Sequence, residues 1–261
     1  MIVVLALLLA QPAGAQLFAD ANAAYLSGDV ARAIASYEAL IAQGVVSPEL
    51  ETNLGAAYLR QGKRGLAALH LERALFLDPG DDDARADLIE VRRGNVDKLE
   101  GESDEAGGET LARLLAPLPG SAAAVLLIAL WCAGWALLGV RQLAPSARFL
   151  GLACALCFAL SAVAALVTWG SAEGRRMAMQ RAVVVAQSAS AREGPAEKSA
   201  SHFEVHEGTT VRLEDEEGPF RRVKLANGLT GWVGASALEL VVPPGWAGRP
   251  VLAGSARAGE P

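Results

Sequence analysis

The sequence predicts a multi-domain chain: an α-helical solenoid, then a transmembrane helical hairpin, then a small all-β barrel. Three observations support this order. The sequence before residue 94 repeats with a period of 34 residues, which is typical of a solenoid of helix pairs. Two uncharged apolar runs follow, and after residue 181 the apolar positions alternate with a period of two, as in β-strands.

Residues 1–15 are typical of a secretory signal peptide. An apolar stretch that begins at Ile2 precedes two small residues, Ala13 and Ala15, at the spacing that signal peptidase accepts. No Lys or Arg precedes the apolar stretch, so an uncleaved anchor and a misassigned start are the alternatives. We expect the mature chain to begin near Gln16.

Residues 16–93 are predicted to form two helix pairs and a capping helix. The repeat units are 14–47 and 48–81, and the capping helix is predicted over 82–92. The second unit contains the packing residues of a repeat, namely Leu54, Gly55, Tyr58, Gly62, Ala67, Leu71, Ala74 and Pro79. This set resembles the tetratricopeptide pattern. The resemblance implies a stack that binds an extended peptide or a partner helix along the concave surface of its first helices.

Six residues are predicted to project from that concave surface toward a partner. They are Asn22, Tyr25, Thr52, Leu59, Arg60 and Arg93. The alternative is that most of them are ordinary solvated side chains, since the groove is inferred from a period alone.

Residues 94–117 are predicted to be an extended acidic linker. The segment is rich in Gly, Ser, Asp and Glu, and no basic residue occurs between Lys98 and Arg113. Such a composition cannot bury much apolar surface. A solvated tether is the simplest interpretation, and an acidic docking strip is the alternative.

Two apolar runs, 121–140 and 149–169, are each long enough to span a bilayer. About 20 helical residues cover the hydrocarbon core, and neither run contains Lys, Arg, Asp, Glu or His. The segment between them is short, so the two runs predict a membrane hairpin, with a buried helix pair in a soluble core as the alternative. The absence of ionisable groups in the runs argues against a proton or transport path.

The orientation follows from the signal sequence. If the signal exports the N-terminal part, the repeats and the barrel both face the periplasm, and the short loop with Arg141 and Arg148 is cytoplasmic. Arginines on the outer flanks outnumber these two, so charge bias alone does not choose this orientation. We expect a multi-pass protein of the bacterial inner membrane.

All three cysteines lie inside the apolar runs. Cys154 and Cys157 have a C-x-x-C spacing, and Cys132 lies in the first run. In lipid-embedded helices such residues are most simply packing groups. The soluble parts therefore have no disulfide framework, and we expect no redox or metal role.

Residues 182–241 are predicted to form five short strands. Their sequences are AVVVA, HFEV, TTVRLE, FRRVKLA and LTGWV. Two turn dipeptides separate the third, fourth and fifth strands: Gly218-Pro219 and Asn227-Gly228. Asn227 and Gly228 are both expected to adopt the positive φ angles of a tight hairpin. Five short strands within about 60 residues fit a small barrel.

Two residue pairs and one triplet also occur in this segment: Gly194-Pro195, Gly208-Thr209 and Gly231-Trp232-Val233. They resemble the marks of a bacterial SH3-like domain. Trp232 is predicted either to fill part of the core or to serve as an aromatic residue of a binding face. His202 and His206 alternate with apolar residues on one strand and are expected to face solvent rather than to bind a metal. Residues 242–261 are predicted to be a disordered tail.

The order of signal, repeats, linker, membrane hairpin and SH3-like domain resembles the BatE-like proteins of bacterial aerotolerance operons. The resemblance implies an accessory subunit encoded beside MoxR-type ATPases and membrane proteins with von Willebrand A domains. By that resemblance, the chain would be a scaffold in an envelope complex linked to stress tolerance.

Composition narrows the functional classes. The net charge is −6, and the charged residues lie outside the apolar runs. The basic residues form no stripe, so nucleic acid is not an expected partner. The soluble parts contain no phosphate-binding glycine loop and no triad-like set of residues, so neither catalysis nor a cofactor is expected. The leading hypothesis is a protein-binding scaffold. Alternatives are a peptidoglycan-binding tether and, should the signal be false, a cytoplasmic adaptor.

Overall fold

The structure is a computed structural model that describes residues 13–95, 120–143, 148–243 and 246. The predicted signal peptide up to residue 12, the linker from 96 to 117 and the tail after 246 lie outside the described residues. The described part forms two compact units. One contains the N-terminal helices and the β-sheet, and the other contains the two long apolar helices.

The first unit begins with five helices. They are α1 Ala13–Leu26, α2 Val30–Ala42, α3 Pro48–Arg60, α4 Arg64–Leu77 and α5 Asp82–Arg93. Helices α2 and α4 start 34 residues apart, and so do α3 and α5, as the sequence period predicts. The predicted helix pairs and the capping helix are thus observed.

Local sequence signals explain where these helices start and end. Gly28 and Gly62 take the equivalent place in the two helix pairs and adopt positive φ angles of 87° and 76°, which end α1 and α3 at low steric cost. Ser47 caps the start of α3 by accepting a hydrogen bond from the backbone N–H of Leu50 (3.1 Å). Asp81 caps α5 by accepting from the N–H groups of Asp83 and Ala84.

Close packing holds α3 against α4. A Cβ atom on Gly55 would lie 2.7 Å from Cγ of Leu71, so only glycine fits at this crossing. Tyr37, Leu54 and Leu71 are completely or almost completely buried in the same core. The predicted role of Gly55 as a contact point between helices is confirmed.

The C-terminal part of this unit is a seven-stranded antiparallel sheet. Its strands are β1 Arg181–Val184, β2 Ser188–Arg192, β3 Ser201–His206, β4 Thr210–Glu217, β5 Phe220–Lys224, β6 Thr230–Gly234 and β7 Leu238–Leu240. The strand order is β3-β2-β6-β5-β4-β1-β7, and the described strands leave the sheet open. The sequence predicted five of these strands and missed β2 and β7.

The sheet folds over its own apolar face. Val205 of β3, at one edge of the strand order, shares a core cluster with Ala182 of β1 near the other edge. Val211, Val223 and Val233 belong to the same cluster. Between β5 and β6, Gly228 alone takes a positive φ (85°), whereas the sequence predicted this for Asn227 as well. The turn has more than two residues, since Lys224 pairs with Thr230.

At β1 and just after β7, the outer face of the sheet packs against the helices. Val183 points away from the sheet core, is completely buried, and belongs to the core of the helices together with Val241 and Val242. Trp246 also packs against this core. The predicted tail therefore begins with two residues, Val242 and Trp246, that are packed onto the helices.

The second unit is a pair of long helices, α6 Gly120–Leu143 and α7 Arg148–Met179. Both are long and apolar enough to cross a membrane, over Ala124–Leu143 and Phe149–Met179. Phe158 packs against Gly134, where a Cβ atom would lie 2.9 Å from the ring. The two predicted apolar helices are thus observed, and α7 continues ten residues beyond the predicted end at 169.

Candidate functional site

Helix α4 contacts both the neighbouring helices and strand β1, and most of its residues are buried. A helix that is covered on all sides normally carries apolar residues all round. Three residues close together on α4 are instead polar and buried: His70, Glu72 and Arg73 are 7%, 4% and 7% exposed. Buried polar side chains require partners, and the partners of these three define the site.

Glu72 connects four elements of the unit. Its Oε1 accepts hydrogen bonds from Arg92 of α5 (3.0 Å) and from the hydroxyl of Thr210 of β4 (3.2 Å). Its Oε2 accepts from Arg181 of β1 at 3.5 Å. One buried carboxylate therefore joins the helices to two strands through charge-assisted bonds.

Arg73 binds the backbone at the end of β7. Its Nε donates to the carbonyl of Val241 (3.1 Å) and its Nη2 donates to the carbonyl of Leu240 (2.9 Å). The guanidinium also lies 5.6 Å from the ring centre of Trp246 and 3.8 Å from a carboxylate oxygen of Glu239. Burial lowers the pKa of Arg73, while the nearby carboxylates of Glu51 and Glu239 oppose that shift. The two N–H donors of the guanidinium thus attach β7, the edge strand of the sheet, to α4.

His70 lies at the centre of a chain of hydrogen-bonded and stacked side chains. Its Nδ1 is 2.7 Å from Oε2 of Glu51, which is completely buried. Its ring stacks on Tyr58 with centroids 5.4 Å apart. The Tyr58 hydroxyl donates to Glu38, and burial followed by the bond to this carboxylate raises the pKa of Tyr58. The phenol is therefore held as a donor.

A pocket of about 310 Å³ opens beside these residues, where the helices meet the sheet. Its apolar wall comes from helices α2, α3 and α4 and from the residue after β1: Ile41, Leu54, Leu66, Leu69 and Val185. Its polar wall consists of Glu38, Tyr58, His70, Arg73 and Glu239. The pocket thus combines an apolar wall with a few polar groups, which is the usual composition of a binding site.

The residues predicted for the concave groove divide into two groups. Tyr25 and Arg60 come together: the Arg60 guanidinium lies 4.3 Å from the centre of the Tyr25 ring and donates to the Tyr25 carbonyl. Leu59 is half-buried against the helical core, and Arg93 is exposed. Burial raises the pKa of Tyr25, and the Arg60 charge opposes this.

Asn22 and Thr52 are instead engaged inside the fold. Asn22 Oδ1 accepts from Tyr37 (2.7 Å) and Asn53 (3.1 Å). Thr52 is 5% exposed, and its hydroxyl donates to Asp81 at 2.8 Å. The prediction that Thr52 projects toward a partner is wrong, because its hydroxyl binds the residue that caps the next helix.

Trp232 lies on the outer face of the sheet. Its neighbours in sequence, Gly231 and Val233, are buried, whereas Trp232 is half-buried and stands outside the sheet core. Its cross-strand neighbours are Arg192 on β2 and Arg222 on β5. The structure therefore favours the surface interpretation of Trp232 over the core interpretation.

The histidines and cysteines form no metal site within the described residues, where no group of three or more metal-ligating side chains occurs. His202 has a side chain that is 50% exposed, as expected. Cys154 is buried and donates weakly to the carbonyl of Gly134 at 3.7 Å, which agrees with a packing role.

Sequence reasoning missed His70, Glu72 and Arg73. A run of polar residues on the second helix of a repeat is normally read as a solvated face. The signal that was present is the apolar Val241-Val242 pair just after the last strand, which needs a surface to cover it. No family model, no curated protein and no solved structure matches this chain.

Proposed function

We propose that this chain is a membrane-anchored, non-enzymatic scaffold whose tetratricopeptide-like helices and SH3-like sheet together hold a partner protein. The observation that carries the proposal is the pocket at the junction of α4 with the sheet. Its walls come from both parts, so a partner that enters it contacts the helices and the sheet at once. Two surfaces joined rigidly bind more tightly than either alone, because little freedom is lost when the second is engaged.

The membrane anchor is supported by the surface of the hairpin. Large apolar side chains on both helices are strongly exposed, among them Val125 (67%), Phe149 (71%) and Leu152 (76%). Soluble proteins rarely leave so continuous an apolar surface in water. A bilayer that surrounds α6 and α7 would cover it.

The contacts between the helices and the sheet support a membrane topology with both parts on the same side. Asn95, the second residue of the predicted linker, is buried and donates to the carbonyl of Gly208 (3.1 Å), between β3 and β4. Contacts at this distance cannot form across the hydrocarbon core, which is about 30 Å thick. Both parts therefore belong on one side of the membrane, and the signal-like N-terminus favours the periplasmic side of a bacterial inner membrane.

The bonding within the pocket supports a binding role. Tyr58 donates to Glu38, His70 is bound to Glu51, and Arg73 is bound to two carbonyl groups. Side chains that satisfy one another in this way are held in place. They suit recognition better than proton transfer.

The domain order suggests which partners to test. By the resemblance to BatE-like proteins, membrane proteins with von Willebrand A domains and a MoxR-type ATPase are the proposed partners, in an envelope complex linked to aerotolerance or stress. This is a proposal from domain order alone.

A photoreactive leucine analogue at Leu66, which lines the pocket, tests the scaffold function in intact membranes. We expect irradiation to crosslink a von Willebrand A-domain membrane protein. The same analogue at Leu229, which is 42% exposed and lies outside the pocket, is the matched control. Equal crosslinking from both positions, or no crosslinked membrane protein from Leu66, would contradict the proposal.

A second candidate function is a cell-envelope tether that binds peptidoglycan through the sheet, and the half-buried Trp232 on the outer face favours it. Aromatic side chains on an open face commonly stack against ligands. The full chain should then co-sediment with purified sacculi, and Trp232→Ala should reduce the retained fraction. The sheet alone is unsuitable for this test, because Val183 and Val241 would lose the helices that bury them.

A further inference from the structure

The pocket beside α4 carries an excess of negative charge. Glu38 and Glu239 are on its wall, and Glu51 is buried directly behind His70. Among the described residues, no hydrogen-bond partner reaches Oε1 of Glu51. The described part of the wall contains one arginine, Arg73, and no lysine.

Arg73 is poorly placed to attract an anion into the pocket. Its Nε and Nη2 are already bound to the carbonyls of Val241 and Leu240. Its charge is opposed by Glu51 and by Glu239, whose carboxylate is 3.8 Å away. The carboxylates of Glu38 and Glu239 together outweigh the one guanidinium of Arg73, so the wall repels an anionic ligand and attracts a cation.

We propose that this pocket binds one basic side chain, a lysine or an arginine, presented by the partner polypeptide. The proposal rests on the scaffold function and adds the chemistry by which the partner is recognised. The aliphatic stem of the side chain would lie along Leu66, Leu69 and Val185. Its charged end would lie between the carboxylates of Glu38 and Glu239.

The size and character of the pocket suit this occupant. A volume of about 310 Å³ is at the lower limit of ligand pockets and accommodates a side chain better than a cofactor. Lysine and arginine combine a long apolar stem with a charged tip, which matches a wall that contains both apolar side chains and carboxylates. Glu239 has a side chain that is 55% exposed, so it can turn toward an incoming cation.

Peptide binding to the full chain in lipid nanodiscs tests the inference. The probes are acetylated and amidated pentapeptides of Gly and Ala with Lys, Met or Glu at the centre, measured by microscale thermophoresis at about 0.15 M salt, where long-range attraction is screened. We expect the Lys peptide to bind at least tenfold more tightly than the Met peptide, and the Glu peptide to bind more weakly than either.

Variants that replace one glutamate by neutral glutamine show which carboxylates cause the preference for the Lys peptide. Glu38→Gln and Glu239→Gln should each weaken the Lys peptide several-fold and leave the Met peptide unchanged. Glu217→Gln, which alters an exposed carboxylate at the far end of β4, is the control and should change neither. Glu38→Gln keeps an oxygen that can accept from Tyr58, so the fold of the wall is retained.

Three results would overturn the inference: equal affinity for the Lys and Met peptides, no binding of any peptide, or a preference for the Lys peptide that survives when Glu38→Gln and Glu239→Gln are combined in one chain. Crosslinking from Leu66 separates this failure from failure of the scaffold function. If a partner crosslinks through a segment without basic residues, the scaffold function is supported and the cation site is contradicted. If the Lys peptide is preferred but no partner crosslinks, the cation site is supported and the scaffold function is contradicted.

Discussion

Glu72 and Arg181 are 109 residues apart in the sequence, yet a hydrogen bond of 3.5 Å joins them. Arg92, which precedes the acidic linker, donates to the other oxygen of the same carboxylate. Glu72 therefore contacts the chain shortly before it leaves for the apolar helices and shortly after it returns. The two soluble segments are held as one unit at the two points where the hairpin is attached.

The first prediction concerns this carboxylate. Glu72→Gln removes the negative charge but leaves Arg92 and Arg181 facing each other in a partly buried site. We expect the free energy of unfolding of the soluble unit to fall by about 3 kcal/mol, because removing one partner of a buried charge pair leaves the others uncompensated. Chemical denaturation of the detergent-solubilised chain, followed by circular dichroism, measures this loss.

Glu217→Gln is the control for Glu72→Gln, since Glu217 is exposed at the end of β4. Its effect should stay within about 0.5 kcal/mol. Similar losses from the two variants would show that the contacts of Glu72 with the strands add little to stability.

The second prediction tests the close approach of α4 to β1. A Cβ atom on Gly65 would lie 2.9 Å from the carbonyl oxygen of Val184 and 3.0 Å from Cα of Val185, both backbone atoms that cannot rotate away. We expect Gly65→Ala to destabilise the unit by about 2 kcal/mol, because the helix must move off the sheet. The thermal unfolding midpoint reports the change.

Gly139→Ala serves as the comparison, because a Cβ atom there would meet nothing within 4 Å in helix α6. Its unfolding midpoint should match or slightly exceed that of the unaltered chain, since alanine favours a helix over glycine. If Gly65→Ala were equally harmless, α4 and β1 would not be in tight contact.

How much of this architecture the sequence predicts depends on the range of each interaction. The helix pairs are predictable because their packing residues recur at a fixed spacing, and Gly55 against Leu71 is such a pair. The apolar helices are predictable from length and composition alone. Strand β2 is not, because its sequence SASAR offers only two small apolar residues, Ala189 and Ala191, to the core.

The site is harder to predict than the fold because its partners are distant in sequence. Arg73 binds the carbonyl of a residue 168 positions away, and nothing in the residues around it indicates burial. Thr52 shows the same effect at shorter range, since its bond to Asp81 spans 29 residues and removes it from the predicted groove. Single-sequence patterns report local periodicity, and neither contact is periodic.

The third prediction is a pH dependence on the capping helix. Burial, followed by the nearby charges of Glu90, Asp83 and Asp81, raises the pKa of Asp87. The folded protein therefore holds this proton more tightly than the unfolded chain does, so stability falls as the pH rises from the ordinary aspartate pKa through the raised one. Asp87→Asn should flatten this part of the curve and add about 0.5 kcal/mol at neutral pH, by removing two like-charge pairs on α5.

Asp82→Asn on the same helix should have the opposite sign. Asp82 forms an ion pair with Arg85 at 2.7 Å, so its neutralisation removes an attraction instead of a repulsion. Denaturation curves of both variants between about pH 4 and pH 7, around the ordinary aspartate range, provide the measurement. A slope that Asp87→Asn leaves unchanged would assign the pH dependence to other groups.

The fourth prediction concerns sidedness. With the native cysteines Cys132, Cys154 and Cys157 changed to alanine, single cysteines introduced as Ser103→Cys in the linker and Glu197→Cys in the loop between β2 and β3 should react with a membrane-impermeant maleimide from the same side of sealed vesicles. Ser146→Cys, between the apolar helices, should react only from the other side. The reason is the contact of Asn95 with Gly208 (3.1 Å), which cannot form if a bilayer of about 30 Å separates the two segments. Labelling of residues 103 and 197 from opposite sides would be incompatible with both the two-span hairpin and the shared core.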